Sequence, residues 1–316
     1  MADLPHGAQR KRPRADSPFI AVDWGTSSLR VTVVDDDGPK EEAHRPLGIA
    51  RVEAGGFADV LADLVDRCGV ENPQVLMSGM VGSDVGWVGV EYCLVPAGVV
   101  DLASGVRWLT SDERSERLRS WSIGVVPGLR TRDDMGELDV MRGEEVQIFG
   151  AGVTDGLVIL PGSHSKWAVV ERGRIAAFRT YLTGELFAAI ARHTLLSRSI
   201  EGAADAIDPT GVAFSDAVHA GRGQSMLHDV FTVRTRALEG ASPPASAARL
   251  SGLLVGAEIA DGLRWAGAHR DVVIVGAADL VDVYIAALRA CGVQATPGPR
   301  SASALGLWRI HSELTR

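Results

Sequence analysis

Two stretches of this chain are built alike, and that repetition limits the folds open to it. The segment from Phe19 to Asp35 is an apolar run (Phe19 to Val22), a polar turn (Asp23-Trp24-Gly25-Thr26-Ser27-Ser28) and an alternating run (Leu29, Val31 and Val33 against Arg30 and Thr32). An extended run that enters a tight turn and leaves it with period two is a β-hairpin. Leu157 to Leu160, the turn Pro161-Gly162-Ser163-His164-Ser165-Lys166 and a returning strand pair from Trp167 to Ile175 repeat the device. The second half thus restarts the architecture of the first, as internal duplication does. A chain of 316 residues suits two domains, each of roughly 100 to 200 residues. The boundaries expected are 18–140 and 141–316, with the last helix able to return to the first domain. Residues 1–17, carrying Arg10-Lys11-Arg12-Pro13-Arg14, read as a disordered, solvated basic tail.

Between the hairpins the periodicity predicts a helix on the stripe Phe57, Val60, Leu61, Leu64, Val65 and Cys68. A buried strand from Gln74 to Ser78 should run into the loop Gly79 to Ser83. Residues 102–119 read as partly helical, 121–126 as a strand, and 143–151 as a short helix with acids in its first turn. Further on, 182–196 and 250–266 have helical periodicity, 202–223 mixes turns with short helical pieces, and 239–245 reads as a loop. A buried strand at 271–275, a helix from about Leu280 to Leu288 and a terminal helix at 303–314 complete the reading.

Composition narrows the function classes. With 46% hydrophobic and 23% charged residues the chain reads as soluble and globular, and its net charge of −8 argues against coating nucleic acid, which needs a basic face. Cys68, Cys93 and Cys291 are odd in number and lack metal or redox spacing, which suits reduced, buried thiols in the cytoplasm. No signal peptide or membrane-length apolar run is visible, so no membrane partner is expected.

The turns carry the chemistry. Gly25 lets backbone approach a ligand, and the amides and hydroxyls of Thr26, Ser27 and Ser28 suit phosphate oxygens. Asp23 offers one oxygen to a hydrated Mg²⁺. Ordinary turn chemistry would use the same residues. Gly162, Ser163, His164, Ser165 and Lys166 offer a second set of donors, and turns from two domains could grip one polyphosphate. Gly276-Ala277 after a strand, and Gly256 in a helical run, could admit a base or ribose against backbone or could serve close packing alone. No GxxxxGK[ST] motif exists, which excludes a P-loop kinase. Glu144 and Glu145 diverge by about 100° on a helix, so only one can face a given hydroxyl as general base; acids there also serve the helix dipole.

Taken in order, Ala21 to Ser28, Ser78 to Ser83 with Gly86-Trp87 and Tyr92, Met141 to Gln147, Leu160 to Trp167 and Thr183 to Phe187 resemble the 2-dehydro-3-deoxygalactonokinase family of the sugar kinase, hsp70 and actin superfamily. The resemblance implies an α/β protein of two ribonuclease-H-like (actin-like ATPase) domains with an interdomain cleft holding ATP and Mg²⁺. It implies transfer of the γ-phosphoryl group to the 6-hydroxyl of 2-dehydro-3-deoxy-D-galactonate in galactonate catabolism. It assigns a phosphate loop to Asp23, Gly25, Thr26 and Ser27, a second to Gly162 through Lys166, and the base to Glu144 with Glu145 as fallback. Substrate contacts are expected from Gly82, Ser83, Trp87, Tyr92 and Arg142, with Arg142 taking the sugar-acid carboxylate and Arg30 or Arg132 as alternatives. The superfamily's adenosine motif usually has paired glycines, and here the second is Ala277. Another 2-keto-3-deoxy sugar acid or a ketose is the rival substrate, a non-catalytic nucleotide-binding regulator the rival class, and a homodimer is compatible with the sequence.

Overall fold

The computed structural model describes residues 19–53, 55–205, 207–223, 225–267 and 271–316, so the basic tail lies outside the described residues. The chain opens with β1 (Phe19–Trp24), β2 (Leu29–Asp35) and β3 (Gly38–Arg45), followed by α1 (Phe57–Val65), β4 (Gln74–Ser78), β5 (Cys93–Leu94), α2 (Val99–Ser104), β6 (Arg107–Trp108) and β7 (Ser122–Val125). It continues with β8 (Leu129–Arg132), β9 (Leu138–Met141), α3 (Glu144–Ala151), β10 (Gly156–Leu160), β11 (Ser165–Glu171) and β12 (Arg174–Tyr181). The remainder is α4 (Thr183–His193), α5 (Ser197–Ile200), α6 (Val212–Gly221), α7 (Met226–Leu238), α8 (Pro243–Ala266), β13 (Val272–Ile274), α9 (Ala278–Ala290), β14 (Ala295–Pro297) and α10 (Ala302–Thr315).

Contacts divide the chain into two units, one of 19–91, 99–128 and 303–316, the other of 92–98 and 129–302. By contacts the change of unit falls after Gly128, where the hairpin of β8 and β9 pairs with β5 in a small sheet of its own. Helix α10 groups with the first unit, where His311 stacks on Phe19 at 4.1 Å and hydrogen-bonds the Gln74 side chain at 2.6 Å.

The large sheets repeat one plan. In the first unit the order is β3-β2-β1-β4-β7-β6, and in the second β12-β11-β10-β13-β14. In each, the hairpin meander is antiparallel and the central strand (β1 or β10) pairs in parallel with the strand on its other side, β4 or β13. These central strands are apolar because both faces are covered: β10 is buried along its length, and β1 is buried except at Asp23. In α1, Phe57, Leu61, Leu64 and Val65 turn inward onto the sheet beside Trp24 and Met77, as the stripe predicted.

One expectation about segments changes. The loop read at 239–245 ends early, because Ser242 caps α8 and Pro243 opens it, where a missing N–H costs nothing. Residues 102–119 are partly helical as expected: the end of α2, to Ser104, and short 3₁₀ turns at Ser111–Glu113 and Glu116–Leu118, with β6 between them. The three cysteines are half-buried thiols, not fully buried. Among the described residues no helix is long and apolar enough to cross a membrane.

Candidate active site

In the first unit the turn after β1 is held in shape from below. Gly25 N–H donates to the Ser28 carbonyl and Ile49 N–H to the Gly25 carbonyl, both at 3.0 Å. A Cβ on Gly48 would stand 1.9 Å from the Thr26 carbonyl oxygen, and one on Gly79 (φ +93°) 2.7 Å from that of Trp24, so both glycines are there for close approach. Thr26 and Ser27 are exposed, and among the described residues their amides have no hydrogen-bond partner. Asp23, at the end of β1, accepts from Ser303 at 2.8 Å and pairs with Arg30 across the hairpin at 3.3 Å.

The second unit builds a matching turn with a different underside. Ser163 and His164 are exposed, and their amides likewise have no partner among the described residues. Helix α4 begins against this turn: a Cβ on Gly184 would lie 2.3 Å from the Gly162 carbonyl oxygen, and Glu185 N–H donates to the Ser163 carbonyl at 3.0 Å. His164 meets Glu185 side chain to side chain at 2.5 Å.

Ser165 and Lys166 point elsewhere than expected. The Ser165 hydroxyl is wholly buried against Tyr284, 2.9 Å away, because this end of β11 is covered. Lys166 is buried too, its ammonium donating to the His164 carbonyl at 3.0 Å and pairing with Glu144 at 3.2 Å.

That ion pair separates the two candidate bases. Glu144 opens α3, is partly exposed, and takes the Arg142 N–H at 3.0 Å on its other oxygen. Glu145 is fully buried, with both oxygens on the Gly143 N–H at 2.8 and 2.9 Å. Burial, then the charge of Glu144, pushes Glu145 up to about 8. Its oxygens close the start of α3, and the side chain is shielded from solvent.

Arg142 lies over the Tyr92 ring, its guanidinium carbon 4.1 Å from the centroid, which brings two expected substrate residues together. The alternatives are otherwise engaged, Arg30 with Asp23 and Arg132 with the Gly136 carbonyl. In the first unit Trp87 stacks on Phe57 as part of the core edge, Ser83 donates to the Met80 carbonyl at 2.7 Å, and Gly82 is buried.

Gly276 and Ala277 are exposed between β13 and α9, with room beside Gly276 for nothing closer than Pro161 at 3.5 Å. Gly256 lies at a close crossing of two helices. A Cβ there would stand 2.3 Å from the Val218 carbonyl oxygen, and Gly252 and Gly221 make the same close crossing of α6 and α8.

The fold has relatives of low identity, among them component A of the Acidaminococcus fermentans (R)-2-hydroxyglutaryl-CoA dehydratase, with a TM-score of 0.55 and 12% identity over 95% of this chain and all of that one. Residues 23–310 match the family model for 2-keto-3-deoxy-galactonokinase. The chain belongs to that family. A curated protein of Rhizobium meliloti (strain 1021), named a probable 2-dehydro-3-deoxygalactonokinase, is 34% identical over 92% of this chain and 98% of its own length. The 2-dehydro-3-deoxygalactonokinase of Escherichia coli (strain K12) is 31% identical over 88% and 91%. The crystal structure of a Sinorhizobium meliloti protein assigned to the same activity superposes with a TM-score of 0.83 at 32% identity, over 94% of this chain and 98% of that one.

Gly48, Gly79, Gly184, Ser303 and Tyr284, which support the two turns, are residues that local sequence patterns did not single out for that place. Gly79 and Gly184 did lie inside quoted segments, whereas Gly48 and Ser303 touch partners far along the chain and leave no local signal.

Proposed function

We infer that this chain phosphorylates the 6-hydroxyl of 2-dehydro-3-deoxy-D-galactonate with ATP, in galactonate breakdown. Family membership makes it a kinase, a phosphotransferase with an alcohol acceptor. The observation that carries the mechanism is the Lys166–Glu144 pair, which ties a carboxylate at the start of α3 to the strand leaving the second polar turn.

In this reading Thr26 and Ser27, with the amides of Gly162, Ser163 and His164, donate to phosphate oxygens, and Gly276 and Ala277 face the nucleoside. Arg142, held flat by Tyr92, presents its fork to the sugar-acid carboxylate. Lys166 and the Arg142 N–H aim Glu144. As the 6-oxygen bonds to the γ-phosphorus and the bond to the ADP oxygen breaks, Glu144 takes the hydroxyl proton.

A divalent cation suits the Asp23 corner. Gly79 leaves the flank of that carboxylate open, since a Cβ there would come within 3.5 Å of an Asp23 oxygen. Among the described residues no three metal-binding side chains converge, so Asp23 would share a Mg²⁺ with phosphate oxygens and water. When bound, Mg²⁺ neutralises developing phosphate charge. We place the protein in the cytoplasm, acting on a small sugar acid without nucleic acid or membrane, and take a homodimer as the assembly to be tested.

The test is coupled ADP release across a panel of 2-keto-3-deoxy sugar acids, aldonates and ketoses. Turnover on 2-dehydro-3-deoxy-D-galactonate above the rest is expected. Activity confined to a ketose would replace the substrate, and no ADP release with any acceptor would favour a nucleotide-binding regulator.

A further inference from the structure

Strand β11 shows opposite faces to two different partners. Residues two apart share a face, so Ser165 and Trp167 look one way while Lys166, between them, looks the other way toward Glu144. Behind Ser165 and Trp167 lies Glu258 of α8, only 3% exposed. The Trp167 indole N–H donates to one of its oxygens at 2.7 Å, and the Tyr284 hydroxyl of α9 donates to the other at 2.7 Å. Thr183, the first residue of α4, also hydrogen-bonds this carboxyl.

The direction of the chain is set by its chemistry. A tyrosine hydroxyl has one proton, and burial raises Tyr284 well above its ordinary range, so it stays a donor. That proton goes to Glu258, which leaves the Tyr284 oxygen to accept from Ser165 at 2.9 Å. Packing reinforces the contact. Gly262, one turn along α8, lies so close to the Trp167 ring that a Cβ would come within 2.6 Å of it. A buried carboxyl is costly unless its oxygens are met, and nothing in the phosphate or sugar chemistry above uses this one.

We propose that Glu258 is a positioning residue for phosphoryl transfer. Through Tyr284 and Trp167 it fixes the start of β11, so that the Gly162–His164 turn keeps its amides outward and Lys166 holds Glu144 from the opposite face. This rests on the phosphate-binding reading of that turn. Glu258 touches no reactant and acts through Ser165 and Trp167.

The experiment compares Glu258→Leu, Glu258→Gln, Tyr284→Phe and Gly162→Ala in steady-state kinetics, using only protein that is folded by circular dichroism and elutes as wild type. Glu258→Leu and Tyr284→Phe should raise KM for ATP and lower kcat, each on the order of ten-fold as expected for lost buried hydrogen bonds. KM for the sugar acid should stay within about two-fold. Glu258→Gln still offers an acceptor, and its amide lets Tyr284 turn its proton to Ser165, so it should recover most of the activity. Unchanged kinetics in folded Tyr284→Phe, or a Glu258→Gln as impaired as Glu258→Leu, would overturn the proposal. So would equal losses in KM for both substrates. Gly162→Ala adds a Cβ into open space at the turn, and should weaken ATP alone. If it does so while Tyr284→Phe does not, only the brace is refuted; if neither affects ATP, the phosphate reading of the turn falls with it.

Discussion

The two polar turns share a hairpin plan and differ in what lies beneath them. The first, Gly25 to Ser28, rests on glycines: Gly48 and Gly79 bring neighbouring backbone against it, and Asp23 beside it accepts from Ser303 and pairs with Arg30. The second, Gly162 to Lys166, rests on buried polar side chains, with Ser165 tied to Tyr284 and Lys166 to Glu144. A turn supported by backbone contact presents amides and little else. A turn supported by buried hydrogen bonds can also hand a charge to a neighbour, and here the neighbour is the carboxylate at the start of α3. The two turns therefore share a shape while the chemistry beneath them differs.

Variants can break that contrast. The largest effect is expected at the acid: Glu144→Gln should lower kcat by about two to four decades with ATP affinity little changed, measured by coupled ADP release. Asp23→Asn should instead raise the Mg²⁺ concentration needed for half-maximal rate, since its carboxylate belongs to the other turn. An Asp23→Asn protein with wild-type Mg²⁺ dependence would detach the cation from that corner.

Next come the supports. Gly48→Ala and Gly184→Ala each force a methyl into a carbonyl, at 1.9 and 2.3 Å, and each should cost about 1 to 3 kcal/mol of stability as overpacking does, read as a drop in Tm. Alanine at Gly162 meets no neighbour and should change stability by no more than about 0.5 kcal/mol, leaving Tm nearly unmoved. A similar loss at all three positions would mean that the close approaches are not what the glycines serve.

The smallest effects are pH slopes of opposite sign in the two units. Glu145 is raised from 4.5 to about 8 by burial, so the unfolded chain loses its proton first, and stability present below about pH 4.5 declines as pH rises to about 8. His311 is lowered from 6.5 to about 4 by burial, so stability present above pH 6.5 is lost as pH falls toward 4. Glu145→Gln should therefore gain Tm over wild type more at pH 8 than at pH 5, by roughly a few degrees. His311→Gln should flatten the acid limb. Parallel Tm curves for Glu145→Gln and wild type would show that Glu145 does not titrate in that window.

Much of the fold could be read from the chain because its signals are local. The apolar runs of β1 and β10, the alternation of β2 and the stripe of α1 each depend on neighbours within a few residues. Orientation was harder. In β11 six successive residues are buried, so alternation says nothing about which face Ser165 takes, and a serine in a polar turn looks like a phosphate donor whichever way it points. Glu258 sits in a long helix where a glutamate ordinarily faces water, and only the indole and phenol brought to it by β11 and α9 reveal its place. Gly256 looked open to a ligand because a glycine in a helix does not announce the helix crossing it.

The first unit is assembled from three separate lengths of chain, the last being α10. During synthesis its sheet emerges early, yet Phe19 waits for His311, Gly38 for Trp308 and Asp23 for Ser303. Domains tend to fold as units as they leave the ribosome, but this one cannot close until the whole second unit has been made. A tag or truncation at the C-terminus thus acts on the oldest part of the nascent protein, and a ribosome stalled before Ser303 would carry a sheet whose Asp23 corner is still unfinished.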